Sequence, residues 1–318
     1  MKGLWQQEAY LFLKQRLALP ALLLMAILSI ASVWAGMAEI ARQKETIARI
    51  QPQQANDVAA IAKWVSKEGD AGNAAYYTFH ATWDNPSALA FAAIGQRDVA
   101  PYILRVRALG LEAQLYESEN YNAELALPGR FDWAFVLTYL APLFVIVLLH
   151  DLKSGAREAG RFNLLAAMAR NETGLWRRRI VLRTGLLWLA LVMPLAAGGL
   201  LSGANFGGIL IFFAVSAAYL GFWTVLCLLV DRKGWSSVTN AATLAASWLV
   251  LTLILPALAH LGINAAVPVR QGVELTLEQR EKIHGGWDRP KEETMQAFFK
   301  VHPEWRNSKP VEGGFHWK

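Results

Sequence analysis

Acid–base, nucleophilic or metal chemistry would have to come from six histidines, one cysteine and 25 Asp and Glu residues, and their spacing suits none of it. His80, His150, His260, His284, His302 and His316 are scattered along the chain. There is no His-Glu-x-x-His to set two zinc ligands and a base on one helix face, and no Gly-x-Ser-x-Gly nucleophile turn. The dipeptide Gly-Lys never occurs, so no P-loop can cradle the phosphates of ATP. Cys227 lies in an apolar run and reads as a small packing residue. On these residues the chain has no catalytic, cofactor-binding or metal site of its own. What remains is binding chemistry, concentrated between Asp151 and Arg183. Eight basic residues (Lys153, Arg157, Arg161, Arg170, Arg177, Arg178, Arg179, Arg183) face three acidic ones there (Asp151, Glu158, Glu172). Phe162, Leu164, Leu165 and Met168 fall on a short helix within this stretch. Charged groups beside an unpartnered apolar helix face suit docking of another protein.

The elements that position this stretch are long and apolar. With 54% hydrophobic residues and five stretches of bilayer-spanning length, the chain is expected to be an all-α polytopic membrane protein. The expected order is a leading amphipathic helix over 1–16, spans at 17–38, 133–150, 184–201, 206–230 and 238–261, a loop at 151–183, and outer segments at 39–132 and 262–318. The first stretch is too long for a signal-peptide core and is followed by no Ala-x-Ala site, so it reads as retained. With the N-terminus inside, segments 1–16, 151–183 and 231–237 carry 13 Lys and Arg against 5 Asp and Glu. The outer segments carry a small acidic surplus. The net charge of +6 is therefore explained by the positive-inside rule and calls for no nucleic-acid partner. The five spans contain no Asp, Glu, Lys or Arg, which argues against a carrier driven by ion or proton gradients.

The outer segment opens with a helical pattern, Ile40, Ile47, Ile50, Val58, Ile61, Ala62 and Trp64, which Gln51-Pro52 is expected to break or kink. A turn at Asp84-Asn85-Pro86-Ser87 leads into the apolar patch from Ala88 to Ile94. Pro101 to Leu104 and Arg105 to Tyr116 follow, and Pro128-Gly129 marks the return to the membrane. This makes a helical extracytoplasmic subdomain the expectation. Glycines at 199, 203 and 207 fit either a tight hairpin or close helix contact. Beyond the last span, Thr276 to Lys282 and Lys291 to Phe299 are expected to be helical, leaving the C-terminus outside.

Ser154-Gly155-Ala156-Arg157-Glu158-Ala159-Gly160-Arg161, followed by Phe162-Asn163-Leu164-Leu165, resembles the Ser-Gly-Glu-Arg-Glu-x-Gly-Thr-Leu-x-Leu-Leu coupling segment of ABC-2 type permeases. Asn85 to Ala90, Gly95-Gln96-Arg97-Asp98, Leu127 to Asp132 and His302-Pro303-Glu304-Trp305 look like the bacterial permeases that carry the domain of unknown function 3526, labelled as multicopper-enzyme-maturation permease components. Ala156 stands where glutamate is common and Arg161 where threonine is common, and a surface contact absorbs either change. The resemblance also implies more outer helix and a sixth span beyond Trp317-Lys318.

The resemblance implies a multi-pass subunit of the bacterial inner membrane that borrows energy from a separate ABC ATPase subunit holding ATP and magnesium. A second permease subunit, homologous or identical, completes such a transporter. Ser154, Gly155, Arg157, Glu158, Gly160, Arg161, Phe162, Leu164 and Leu165 form the ATPase-coupling set, with Arg157, Glu158 and Arg161 on the groove rim and the leucines as anchors. Attraction of the same basic residues to anionic membrane lipid, about 1 kcal/mol each, is the plainer explanation of the charge. An alternative function is a non-transporting membrane scaffold whose outer subdomain holds a periplasmic partner.

Overall fold

The computed structural model describes residues 2–68, 71–98, 102–107, 129–168, 171–267, 273–288 and 291–307. In chain order these form α1 (Lys2–Leu13), α2 (Ala18–Glu68), α3 (Ala71–Tyr77), β1 (Phe79–Trp83), β2 (Ile103–Arg107), α4 (Trp133–Phe135), a π-helical turn (Val136–Leu140) and α5 (Ala141–Leu149). Then come α6 (Ser154–Glu158), α7 (Phe162–Met168), α8 (Glu172–Leu201), α9 (Phe206–Asp231), α10 (Ser237–Leu249), a second π-helical turn (Val250–Ile254), α11 (Leu255–Ala266), α12 (Val273–Asp288) and α13 (Lys291–Val301). Five helices, Ala18–Lys67, Trp133–Glu158, Glu172–Leu201, Phe206–Asp231 and Ser237–Ala266, are long and apolar enough to cross a bilayer. That is the build of a multi-pass helical membrane protein. The described residues divide into two units, one of residues 2–45, 85–98, 129–168 and 171–263, the other of 46–68, 71–84, 102–107, 264–267, 273–288 and 291–307.

In the first unit the later spans begin where a side chain takes over a backbone donor. Asp132 accepts from Phe135 N–H at 2.8 Å, Asn171 from Gly174 at 2.9 Å, Asn205 from Gly208 at 2.6 Å and Ser236 from Thr239 at 3.1 Å. The core is built from Met25 and Val33 of α2, Trp133, Val145 and Leu149 of span 2, Leu187, Leu191 and Leu195 of α8, Leu220 and Trp223 of α9, and Leu244 of α10. Lipid is as apolar as these side chains, so close packing and interhelical hydrogen bonds hold the spans together, each bond worth about 0.6 kcal/mol on average. Pro194 interrupts the hydrogen-bond ladder of α8, and the nearby Leu191 carbonyl collects two outside donors, Ser29 Oγ at 2.7 Å and Trp133 Nε1 at 3.0 Å.

The patch after Asn85 folds onto α2 around Gly36 and onto the C-terminal end of α8 around Gly198. Phe91 is buried there, and a side chain at Gly36 would place its Cβ 2.1 Å from the Phe91 carbonyl oxygen. Asp132 joins this patch to span 2 by accepting Ile94 N–H at 2.9 Å with its second oxygen. Burial raises the Asp132 carboxyl above its ordinary range, even though backbone hydrogen bonds from Phe135 and Ile94 pull it the other way. The glycine spacing near 203 serves both expected purposes. Gly203 turns the hairpin with a positive φ, while Gly199 lies against Ile209 of the next span.

In the second unit the expected break at Gln51-Pro52 and the expected all-helical build are both corrected. Pro52 does not end the helix, because α2 runs unbroken to Glu68. The carbonyl that Pro52 strands belongs to exposed Ala48, where water can take it. Nor is the unit wholly helical, since β1 and β2 pair antiparallel with Phe79 opposite Arg107 and Trp83 opposite Ile103. In β1, Phe79, Ala81 and Trp83 alternate with His80 and Thr82 at the strand period, and in β2 Leu104 and Val106 alternate with Arg105 and Arg107. The Gln54 amide imitates a further strand, donating to Phe79 O and accepting from Ala81 N–H, both at 2.7 Å. The two tail helices form as expected. Pro101, Ala108 to Tyr116, Leu127, Pro128, Arg170 and Trp317-Lys318 lie outside the described residues.

Candidate functional site

The stretch from Asp151 to Arg183 is not one loop. It comprises α6, α7 and the first turns of α8, which begins at Glu172. A Schellman turn separates the two short helices: Gly160 adopts φ +64°, and Arg161 N–H donates back to Ala156 O at 2.9 Å. That is the physical use of the glycine at this position. Gly155 has no comparable need, because a Cβ there would meet Asp151 at an ordinary 3.5 Å.

The consecutive residues Arg157 and Glu158 reach opposite ends of two helices. Arg157 Nη2 lies 3.6 Å from the Asp231 carboxylate and 3.5 Å from the Asp231 carbonyl at the C-terminus of α9. Glu158 Oε1 accepts Ser237 N–H at 2.6 Å and Oε2 accepts the Ser237 hydroxyl at 3.0 Å, at the N-terminus of α10. A helix C-terminus carries partial negative charge and an N-terminus partial positive charge, so each charged residue meets the complementary helix end. Asp231 itself is the exception. It places a carboxylate at the wrong end of a helix, only 2% exposed, with the backbone N–H groups of Lys153 and Ser154 and the Lys153 ammonium turned toward it. The Arg157 guanidinium offsets that charge.

Behind this pair lies a buried hydroxyl and amide network. Ser154 Oγ donates to His150 O at 3.3 Å and lies 3.0 Å from the Ser237 oxygen, whose proton goes to Glu158. It accepts from Asn240 Nδ2 at 3.3 Å, which also donates to His150 O at 3.3 Å. Spans 2, 4 and 5 are therefore tied together at one end through α6. Ala156 is buried in the apolar core beneath it, so a residue at 156 is no surface contact, contrary to expectation.

Helix α7 is mounted on α8 by aromatic stacking. Phe162 lies over Trp176 at 5.9 Å with planes 15° apart, and Arg157, Lys153 and Arg179 approach these two rings from outside. Leu165 turns inward onto the core. Leu164, at 60% exposure, and Met168, at 76%, turn outward, and Arg161 is exposed beside them. Of the nine expected coupling residues, Arg157, Glu158 and Ser154 thus serve contacts within the chain, Phe162 and Leu165 seat the helix, and Leu164 and Arg161 face outward. The same end is braced by α1, whose Glu8 binds Arg179 at 3.0 Å, and by Arg183, which donates to Leu148 O and lies 3.7 Å from Asp151.

Sequence reasoning did not single out Asp231, Ser237, Asn240 or Trp176. A signal for Asp231 was present, since an acid at the last position of a helix opposes the dipole and calls for a cation nearby. Among the described residues no three His, Cys, Asp or Glu side chains converge as a metal site requires. The chain matches no protein-family model, no curated protein and no solved structure.

Proposed function

We propose that this chain is the transmembrane permease subunit of an ABC-2 type transporter in a bacterial inner membrane. Its N-terminus and the α6–α7 segment face the cytoplasm, and its C-terminus faces outward. A separate ATPase subunit, which holds ATP and magnesium, docks on the outward face of α7 at Arg161, Leu164 and Met168. A second permease chain, homologous or identical, completes the translocation unit. The observation that carries this reading is the mounting of α7: a short helix with an outward apolar edge is anchored, through α6, to the ends of spans 2, 4 and 5. Moving α7 therefore pulls on three spans at once. The basic surplus at this end supports the cytoplasmic assignment, and the uncharged spans support an outside energy source.

The test is co-purification of the full chain in nanodiscs with a Walker-type ATPase from the native host, comparing wild type with Leu164→Asp/Met168→Asp. Wild type should bind the ATPase and change its rate of hydrolysis. The double variant should keep its thermal stability and lose both effects. If wild type binds no ATPase, or if the variant binds as well as wild type, the coupling reading fails.

A further inference from the structure

Spans 2 and 5 carry the same short sequence, Val136-Leu137-Thr138-x-x-x-Pro142 and Val250-Leu251-Thr252-x-x-x-Pro256. Both adopt the same irregular backbone. Each Val-Leu-Thr opens a five-residue π-helical turn, with Ala141 N–H reaching Val136 O and Leu255 N–H reaching Val250 O. The cause is shared as well. The proline has no N–H to return to the threonine carbonyl four residues earlier, so the helix widens by one residue ahead of it.

The two turns differ in what surrounds them. In span 2 the carbonyls are taken by side chains of neighbouring helices: Tyr219 OH donates to Thr138 O at 2.8 Å and Trp248 Nε1 to Tyr139 O at 3.1 Å. Val136 and Leu137 are buried, and α5 beyond them packs on α8, α9 and α10. In span 5 no side chain donates to Thr252 O among the described residues. The Thr252 hydroxyl instead bonds back to Trp248 O at 2.6 Å, a contact that bends helices. Val250, Leu251, Leu253 and Ile254 are exposed, and although α10 packs on α5 and α9, α11 beyond the turn is exposed along most of its length.

We propose that the π-helical turn Val250–Ile254 is a hinge about which α11 swings, and that the matching turn in span 2 is its locked counterpart, forming a fixed post to which Trp248 fastens the base of span 5. The hinge is read from this chain's own backbone, and only its use in transport rests on the permease reading.

The swing can be sized. From Ile254 to Ile263 is nine residues, about 14 Å of helix. A kink of about 20° moves that end by roughly 5 Å. Spin labels at Leu201 and Ile263, both exposed, would report this in the full chain in nanodiscs without any ATPase, with Cys227→Ala removing the native thiol. We expect the parent distance distribution to be broad or double, spread over about 5 Å. Pro256→Ala restores the missing N–H and should narrow it to a single peak of less than half that width. Thr252→Val, which removes the bending hydroxyl bond and leaves the proline in place, should narrow it in part. A parent distribution as narrow as that of Pro256→Ala, or no narrowing in either variant, overturns the hinge. Because no ATPase is present, that failure leaves the coupling reading untouched, and absence of ATPase binding likewise leaves the hinge standing.

Discussion

Arg157 and Asp231 offer a strict test of how α6 is fastened. The Asp231 carboxylate is buried at the unfavourable end of α9. Although the Lys153 and Ser154 N–H groups and the Lys153 ammonium also face it, Arg157 is the cation in ion-pair contact and carries the largest share of the charge's cost. At 3.6 Å and an effective dielectric near 20, the attraction is about 4–5 kcal/mol. The Arg157 side chain is about a third exposed, and solvent screening reduces this by roughly half. Removing one partner of a fully buried pair costs about 3–5 kcal/mol. Arg157→Ala should therefore destabilise the protein by about 2 kcal/mol, measured by denaturant unfolding in bicelles and followed by the fluorescence of its 13 tryptophans. Asp231→Asn removes the stranded charge and should cost about 0.5 kcal/mol alone. The double variant should sit closer to Asp231→Asn than to the sum of the two, a coupling of about 1.5 kcal/mol. A loss below about 0.5 kcal/mol for Arg157→Ala, or a double variant no more stable than Arg157→Ala, would show that the pair does not hold α6 to span 4.

Glu158→Lys puts a positive charge at the N-terminus of α10 and should cost about 1–2 kcal/mol, while Glu158→Gln, which keeps the acceptor, should cost less than half as much in the same unfolding assay. Gly36→Ala forces a Cβ against the Phe91 carbonyl and should lower stability by about 2–3 kcal/mol, whereas Gly221→Ala, which meets nothing, should be neutral; equal effects would contradict the close approach. For Asp132, the folded carboxyl holds its proton to a higher pH than the unfolded one. Its contribution to stability is thus full below the ordinary carboxylate range and declines as pH rises through the raised value, a slope that Asp132→Asn should abolish in unfolding curves taken between about pH 4 and about 8. Asp132→Asn should also cost about 1–2 kcal/mol near neutral pH, because its amide turns a donor toward Ile94 N–H or Phe135 N–H.

The five apolar helices were legible because about twenty apolar residues in a row have few other fates. The short α7 was legible for a related reason, a periodic apolar edge bounded by arginines. What the sequence concealed was direction. Phe162, Leu164, Leu165 and Met168 are equivalent in composition, and only the stack of Phe162 on Trp176 decides that Leu165 turns in and Leu164 out. Arg157 and Glu158 read as surface charges because nothing local says that two span ends lie beside them. The strands were missed because two short segments so far apart in sequence give a weak period-two signal beside a long helix. Pro52 misled for a different reason: the rule that proline breaks helices presumes that the stranded carbonyl has nowhere to turn, and at an exposed position it has water.

Proline also links the two ends of span 5. At the basic end, Ser237 is held by Glu158 and Ser154, and Asn240 by Ser154 and the His150 carbonyl. About two turns farther on, Trp248 fastens α10 to the carbonyl of Tyr139. These polar ties of span 5 lie before the π-helical turn. A displacement of α6 would be passed along α10 as along a rigid rod, because the rod is fixed at both ends. It would be released at the first place where the backbone ladder is incomplete, which is Val250–Ile254. The same proline in span 2 releases nothing, since Tyr219 supplies the bond that Pro142 withholds and Trp248 secures the next carbonyl. Tyr219→Phe should thus convert the locked turn toward the behaviour of the free one, seen as faster amide exchange over residues 136–143 with no change over 250–257. Equal protection in wild type and variant would mean that the side-chain bond is not what distinguishes the two turns.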